Sequence, residues 1–215
     1  MVFELDKINS IANHFLRELR DIEIQKDSLR FRMNLERLGG VLAYEVSKRL
    51  EFVEQTVATS LGEKSTNVIK EQPVLVTILR AGLPFFNGFI NYFDRASSGF
   101  VGAYRVEDNN EISTVFNYMA LPNIDNKVLI IVDPMLARGE SIVQSVDLIT
   151  KKGTPKGIHV VSAIAAPEGV RYVKGNISLP LSIWVGSIDE RLDENAYIVP
   201  GLGDAGDLSY GAKLH

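Results

Sequence analysis

The fold of this protein is decided by the stretch VLIIVDPMLARGES, residues 128–141. Five apolar residues run directly into Asp133, as they do in a strand that is buried on both faces of a sheet. A short loop with one glycine then leads to Ser141, where an apolar periodicity typical of a helix begins. A buried strand, a tight loop and a helix in this order indicate one βα unit of a mostly parallel sheet. The loop also carries an arginine and a glutamate, which a simple phosphate-binding loop does not predict.

Further short apolar runs with many β-branched residues occur on both sides of this stretch. They are VLVTIL (74–79), GFVGAY (99–104), GIHVVSAIAA (157–166) and LSIWVG (181–186). Helix-like stretches lie between most of the strands, notably at 84–93 and 141–152. This alternation predicts an α/β fold, a twisted and mostly parallel sheet flanked by helices.

Residues 104–120 break this alternation. They change regularly between polar and apolar residues around Asp108-Asn109-Asn110, which predicts a protruding β-hairpin arm.

The N-terminal quarter has a different character. Helical spacing of apolar residues predicts one helix over 9–20, with Asn9 or Ser10 as its cap, and a longer one over 28–50. The Gly39-Gly40 pair inside the longer helix either weakens that helix or marks close packing against another element. Residues 53–60 are predicted to form an exposed strand.

Composition limits the classes of function. The 215 residues suffice for one domain with a substantial core, and the net charge of −4 with a pI near 5.5 argues against a nucleic-acid partner. The absence of cysteine excludes disulfides, thiolate metal sites and cysteine nucleophiles. The N-terminus has no signal-peptide pattern and no apolar run approaches membrane length, so we expect a cytoplasmic protein with no membrane partner.

Three residues capable of chemistry follow predicted strands: Arg80, Arg105 and Asp133. In a parallel sheet ligands bind at the carboxyl ends of the strands, so these side chains are expected to face one crevice. Each also has a plain structural interpretation, because an arginine there is often a surface residue and an aspartate often forms a turn. Together they suit a ligand that has both phosphates and sugar hydroxyls.

The loop after Asp133 is predicted to bind an anion. Backbone N–H groups of residues 137–141, at the start of a helix, can point at one phosphate, and the helix dipole adds attraction. Ser141 can donate its hydroxyl or serve as a plain helix cap. The loop is neither a P-loop nor the glycine fingerprint of dinucleotide-binding folds.

Several motifs together resemble the uracil phosphoribosyltransferases. They are RD at 20–21, LAYE at 42–45, LRAG at 79–82, YR at 104–105, VDPMLARGES at 132–141 and YIVPGLGDAGD at 197–207. The resemblance covers nearly the whole chain, and GLGDAGD is its most specific part. Taken without the resemblance, GLGDAGD is equally well explained as a turn rich in glycine and aspartate.

The resemblance implies one phosphoribosyltransferase domain over residues 1–215. Within it, 1–60 would form N-terminal helices, 104–120 a hairpin arm and 180–215 a base-binding hood. The implied reaction joins uracil to phosphoribosyl pyrophosphate (PRPP) and releases UMP and pyrophosphate, with Mg²⁺ held through PRPP and not by a protein metal site. The implied partners are these small molecules, a GTP effector and further copies of the chain in a homodimer or higher homo-oligomer.

The resemblance also assigns site residues. Arg80 and Arg105 would bind pyrophosphate, Asp133 the ribose hydroxyls, and Asp204 the side of PRPP that carries magnesium; these four form the implied catalytic set. The implied PRPP loop consists of Pro134, Met135, Leu136, Ala137, Arg138, Gly139, Glu140 and Ser141. Uracil would be bound by Ile198, Gly203, Asp204 and Ala205, largely through backbone groups, and glycine permits the close approach this needs.

The sequence departs from the family pattern at the phosphate loop. Arg138 stands where the family has threonine, and Glu140 where it has glycine; Glu140 would then repel phosphate, pair with Arg138, or lie in the first turn of the helix. Leu208 and Ser209 also differ from the pattern near the C-terminus. Two other functions therefore stay open, a non-catalytic relative that senses PRPP or nucleotide and a transferase with a different base preference.

Overall fold

The protein is described by a computed structural model. It gives the backbone of residues 1–108 and 111–213 and the side chains of residues 1–102 and 116–213. None of the helices in these ranges combines the length and apolar character needed to cross a bilayer.

The strands that build the main sheet are β1 (Val2–Glu4), β4 (Val74–Leu79), β5 (Ser97–Asp108), β6 (Glu111–Ala120), β7 (Val128–Val132), β8 (Met135–Leu136), β9 (Gly157–Ala165) and β10 (Leu181–Ile188). Two small ribbons are formed by β2 (Phe52–Thr59) with β3 (Gly62–Ile69), and by β11 (Arg191–Leu192) with β12 (Ile198–Val199).

The main sheet has the order β1-β10-β9-β7-β4-β5-β6, and β8 pairs with β9. All neighbouring pairs are parallel except β5–β6, which is antiparallel. The predicted fold class is therefore confirmed. The strands predicted at 74–79 and 128–132 have the observed bounds, because both are continuous apolar runs buried by helices on each side.

The helices are α1 (Ala12–Arg20), α2 (Ser28–Ser47), α3 (Gly82–Tyr92), α4 (Glu140–Thr150), α5 (Pro167–Asn176) and α6 (Ala205–Tyr210). The predicted side-chain cap of α1 at Asn9 or Ser10 is wrong, because the cap position is Ile11 and no side chain bonds there. The Ser10 hydroxyl instead accepts a hydrogen bond from the N–H of Ala12 at 3.3 Å. Asp27 caps α2, its carboxylate accepting from Arg30 N–H at 3.0 Å.

The predicted hairpin at 104–120 is confirmed in its strands, since β5 and β6 pair from Phe100–Ala120 to Asp108–Glu111. The predicted tip, residues 109–110, lies outside the described residues. The exposed strand predicted at 53–60 is confirmed as β2, but its partner β3 was not foreseen. Both strands are exposed over almost their whole length and neither has a buried apolar face, so hydrophobic periodicity gives no signal for β3.

Two hydrophobic clusters lie on opposite faces of the sheet. One joins the sheet to α1, α2 and α3, and includes Leu35, Phe85 and Trp184; the other joins it to α4 and α5, and includes Ile131 and Val146. The Gly39-Gly40 pair lies where α2 crosses α3. A Cβ on Gly39 would come within 2.2 Å of the carbonyl oxygen of Phe85, so the close-packing interpretation of this pair is confirmed.

His159 lies on β9, and its neutral imidazole ring packs against Trp184 of the neighbouring strand β10. Its Nδ1 accepts a hydrogen bond from Trp184 Nε1 at 2.9 Å, and the two rings stack with centroids 5.9 Å apart. Burial, and secondarily the N-terminal ammonium group, lower the pKa of His159 to about 4. In the unfolded chain the pKa is about 6.5, so the unfolded state takes up the proton first as pH falls.

Stability is therefore expected to rise with pH between about 4 and 6.5 on account of His159. From pH 7.5 to 5.0 the wild type should lose about 2 kcal/mol more unfolding free energy than His159→Asn, which keeps an acceptor but does not titrate. Urea titrations at both pH values measure this difference, with His14→Asn on the exposed face of α1 as the matched control. Equal losses in the wild type and His159→Asn would contradict the assignment.

Candidate active site

A side-chain hydrogen bond joins the carboxyl ends of β4 and β7 below the candidate site. The Thr77 hydroxyl, which is buried, donates to the carbonyl of Val132 at 2.9 Å. Gly82 packs against the Thr77 side chain, since a Cβ on Gly82 would come within 2.1 Å of Thr77 Oγ1. The turn after β4 therefore packs beside the end of β7, which places Arg80 and Asp133 on the same edge of the sheet.

Arg80 connects this edge to the C-terminal helix. Its Nη2 donates to Asp207 Oδ1 at 3.2 Å and to the carbonyl of Gly211 at 3.5 Å. The side chain remains 44% exposed, so the guanidinium faces open space as well as α6. An arginine that is partly exposed here can bind an anion, and its charge is not buried and unpaired when no anion is bound.

Asp133 follows β7 directly. Its N–H continues the ladder by donating to the carbonyl of Val161 at 3.0 Å, and its Oδ1 accepts from Met135 N–H at 3.5 Å. The side chain is half-buried. The turn-forming interpretation and a role in ligand binding are thus compatible.

The loop of residues 134–139 turns its carbonyls toward the sheet. Pro134 O accepts from the N–H groups of both Ala163 and Ile164, at 3.0 and 3.1 Å, and Leu136 O accepts from Ala166 N–H at 2.9 Å. Within the described part of the chain, no protein acceptor is bonded to the N–H groups of residues 138–140. These donors lie at the N-terminus of α4, where an anion is favoured.

The loop owes its shape to two glycines. Gly139 has φ of +86° and occupies the cap position of α4. Gly169, in the first turn of α5, packs on the loop so closely that a Cβ there would come within 2.2 Å of the carbonyl oxygen of Ala137. Helix α5 therefore holds the loop from behind, and no local pattern of residues predicts this contact.

The two unusual loop residues have different environments. Arg138 is exposed, and Glu140 is the half-buried first residue of α4. No ion pair joins them among the described residues, so the predicted Arg138–Glu140 pair is absent there. Glu140 does lie in the first helical turn, where the helix dipole favours a carboxylate. Ser141 follows it in the same turn, and its carbonyl accepts from the Ser145 hydroxyl at 2.6 Å.

The ribbon of β11 and β12 presents Ile198. Asp193 N–H donates to Tyr197 O at 2.8 Å and Glu190 N–H donates to Val199 O at 3.0 Å. Because backbone groups alternate along a strand, the N–H and C=O of Ile198 point away from β11. The C=O faces Gly201, where an added Cβ would come within 2.0 Å of its oxygen.

Residues 201–205 form a rigid loop after this ribbon, which we call the base loop. Gly201 and Gly203 have φ of +64° and +89°, which favour glycine. Asp204 then caps α6, its Oδ1 accepting from Gly206 and Asp207 N–H at 2.8 and 2.9 Å. Gly203 is exposed, whereas Ala205 is buried.

The carboxyl group of Asp204, in this loop, has a pKa that is shifted from its usual value. Burial raises the pKa of its carboxyl, but the N–H of Asp207 and the ammonium of Lys213 act more strongly together, and the pKa lies below its usual value. Lys213 Nζ lies 3.4 Å from Asp204 Oδ2. Asp204 therefore carries an ionised carboxylate, the kind of oxygen group that Mg²⁺ prefers.

The structure places Arg80 beside the start of α6. Arg80 meets α6 through Asp207, and a Cβ on Gly206 would lie 3.9 Å from Arg80 Nη2, so the strand end and the base loop are neighbours. Arg105 lies on β5 opposite Thr114, and its side chain lies outside the described residues. Asp207 was missed as a partner of Arg80, because 127 residues separate them in the sequence.

A protein metal site is not formed by the described side chains. Among them no group of three or more His, Cys, Asp or Glu residues is arranged to hold a metal ion. Asp133 and Asp204 carry carboxylates, which are the oxygen groups that bind a magnesium ion whose other ligands come from phosphates and water.

Comparison with known proteins bears on this arrangement. A family profile described as uracil phosphoribosyltransferase matches residues 8–212. The uracil phosphoribosyltransferase of Porphyromonas gingivalis is 49% identical over 214 residues, or 99% of each chain. That of Pyrococcus furiosus is 37% identical over 202 residues, or 93% of this chain and 85% of its own.

Solved structures agree with the fold. A protein of Aquifex aeolicus superposes with a TM-score of 0.87 at 34% identity, and the match covers 100% of both chains. A hypoxanthine phosphoribosyltransferase of Staphylococcus aureus superposes with a TM-score of 0.51 at 15% identity, over 86% of this chain and 84% of its own. The second likeness concerns the fold alone.

Proposed function

The chain belongs to the uracil phosphoribosyltransferase family and is a pentosyltransferase, and we propose that its active site is the sheet edge between Arg80 and the base loop. The reaction joins uracil to the ribose 5-phosphate of PRPP and releases UMP and pyrophosphate, a step of pyrimidine salvage. The observation that supports this location most directly is the contact of Arg80 with Asp207, which joins the cation proposed to bind pyrophosphate to the helix that follows the base loop.

PRPP is proposed to lie across the strand ends. The N–H groups of residues 138–140, which donate to no acceptor among the described residues, and the N-terminus of α4 suit its 5-phosphate. Asp133, half-buried at the end of β7, suits the ribose hydroxyls, since a carboxylate accepts two hydrogen bonds. Arg80 and Arg105 would bind the pyrophosphate.

Uracil is proposed to pair with backbone groups of the C-terminal segment. The N–H of Ile198, which points away from β11, and the N–H groups of Gly203 to Ala205 suit the carbonyl oxygens of a flat base. A rigid backbone edge selects such a base, because an analogue with a donor in place of an acceptor leaves a buried group unpaired.

The chemistry follows from these positions. The bond between the anomeric carbon and the pyrophosphate oxygen breaks, a uracil nitrogen forms the new bond to that carbon, and this nitrogen loses its proton. Negative charge grows on pyrophosphate as it leaves, so a cation fixed at Arg80 stabilises the transition state more than the ground state. No covalent enzyme intermediate is needed.

Magnesium is proposed as the cofactor. Asp204, ionised and partly exposed, and Asp133 are the carboxylates of this edge that would hold it, together with the phosphates of PRPP. When bound, the ion supplies positive charge to the leaving pyrophosphate.

The test of the function is an assay of the purified protein with PRPP, magnesium and a set of bases. We expect UMP from uracil and little product from cytosine, hypoxanthine or orotate, as chromatography of the products would show. A product from a purine but not from uracil would contradict the base assignment. PRPP binding without any nucleotide product would instead identify a non-catalytic sensor.

The same assay locates the site. Arg80→Ala should lower kcat/KM for PRPP at least about tenfold, since a charge-assisted hydrogen bond contributes about 1.5–3 kcal/mol. The matched control is Arg95→Ala, an exposed arginine just before β5 at the opposite edge of the sheet. Equal kinetics in the two variants would show that pyrophosphate is not bound by Arg80.

Further properties stay predictions at this point. We propose that residues 1–215 act as one phosphoribosyltransferase domain, with an N-terminal helical part, a hairpin arm and a C-terminal hood. A GTP effector, a homodimer or higher homo-oligomer and a cytoplasmic location are expectations that accompany the family resemblance.

A further inference from the structure

A buried ion pair lies behind the base loop. Arg20, the last residue of α1, forms a two-pronged contact with Asp189: its Nη1 donates to Oδ2 at 2.7 Å and its Nη2 to Oδ1 at 2.5 Å. The Asp189 side chain is 3% exposed and that of Arg20 is 24% exposed. A planar arginine in this geometry fixes both the direction and the distance of its partner.

Both backbone groups of Gly201 are bound to this pair. Gly201 N–H donates to Asp189 Oδ2 at 2.8 Å, and Gly201 O accepts from Arg20 Nη1 at 3.0 Å. Gly201 has φ of +64°, and a Cβ there would come within 2.0 Å of the carbonyl oxygen of Ile198. The position of Gly201 relative to Ile198 is thus fixed from two sides.

Leu202, the next residue, is also held by a hydrogen bond from the N-terminal helical segment. The Gln25 amide, in the orientation that satisfies its hydrogen bonds, donates to the carbonyls of Leu202 and Leu19 at 2.9 Å each. Asp189 itself is anchored to the sheet, since its N–H donates to Ala165 O at 2.8 Å. The N-terminal helical segment and the ends of β9 and β10 thereby determine where the base loop lies.

We propose that Arg20 and Asp189 are positioning residues for uracil, acting through Gly201 on the backbone groups of Ile198 and the base loop. This inference rests on the proposed function of that loop. Uracil recognition by backbone groups depends on their spacing, so a small shift of Gly201 weakens binding of the base. PRPP is bound by other elements and is affected much less.

The experiment compares steady-state kinetics of Arg20→Ala, Arg20→Lys and Asp189→Asn with the wild type. We expect KM for uracil to rise at least about tenfold in Arg20→Ala, while KM for PRPP stays within about twofold. Arg20→Lys keeps the positive charge but not the planar fork, and it should recover part of the loss. Arg30→Ala is the matched control, because it removes an arginine–carboxylate pair with Glu18 in the same helical layer, away from the loop.

The outcomes are distinct. An unchanged KM for uracil in a folded Arg20→Ala protein, or equal increases in both KM values, would overturn the positioning role while leaving the function intact. Absence of UMP formation by the wild type would overturn the proposed function and this inference together. If Arg20→Ala does not fold, Arg20→Lys and Asp189→Asn decide the question, because a raised uracil KM at unchanged PRPP KM in these near-isosteric variants is expected only from a positioning role.

Discussion

Replacing Gly88 by alanine is expected to lower the free energy of unfolding by at least about 3 kcal/mol. Gly88 lies in α3 where this helix crosses α2. A Cβ there would come within 2.2 Å of Glu36 O, 2.4 Å of Gly40 N and 2.7 Å of the Gly39 carbonyl carbon. All three are backbone atoms that cannot rotate away, so the two helices would have to separate and expose buried contacts of Phe85 and its neighbours.

The matched control is the same substitution in an open place. Gly175, exposed in α5, has no atom within 4 Å of an added Cβ, so Gly175→Ala should stabilise the protein by about 0.4–1 kcal/mol. Urea titrations of both variants then give changes of opposite sign for identical chemistry. A Gly88→Ala protein that unfolds at the wild-type urea concentration would refute the close helix crossing.

The crossing also illustrates what the sequence can predict about this fold. A Gly-Gly pair inside α2 indicates close approach, because glycine in a helix is costly unless packing requires it. Its partner could not be named, since Gly88 lies 48 residues after Gly40 and nothing in the local pattern connects them. The central strands were predictable for the opposite reason: each is a self-contained apolar run between turns.

The same distinction holds for the site. Arg80 and Asp133 could be predicted because a parallel sheet places every strand's carboxyl end on one edge, whatever the rest of the chain does. The Arg20–Asp189 pair spans 169 residues and could not be predicted, because neither residue lies in a pattern that points to the other. Local periodicity thus predicts which residues lie at the carboxyl edge of the sheet, whereas the contacts that hold the loops in place depend on tertiary packing.

These supporting contacts divide the proposed active site into two separately held halves. The base loop is held by Arg20 and Asp189, and the loop of residues 134–139 is held by α5 and β9. Perturbing one half should therefore affect one substrate more than the other. The family's two substrates allow this to be measured directly.

The larger kinetic effect is expected at the loop of residues 134–139. We expect Gly169→Ala to lower kcat/KM for PRPP about a hundredfold. The added Cβ would lie 2.2 Å from Ala137 O and 2.9 Å from Leu136 O, so the loop has to move off α5 by roughly 1 Å. A displacement of that size in a group that positions a reacting substrate costs on the order of a hundredfold. The N–H groups of residues 138–140 would no longer converge on the 5-phosphate.

Kinetics at saturating uracil and calorimetric titration with PRPP measure this loss, and both are made below the unfolding temperature of the variant. Gly175→Ala on the same helix is the control, and it should keep wild-type kinetics because its Cβ meets nothing. KM for uracil should change much less than KM for PRPP, since the base loop is supported by Arg20 and Asp189 and not by Gly169. A folded Gly169→Ala enzyme with wild-type PRPP affinity would mean that the 5-phosphate is bound elsewhere than at the loop that α5 supports.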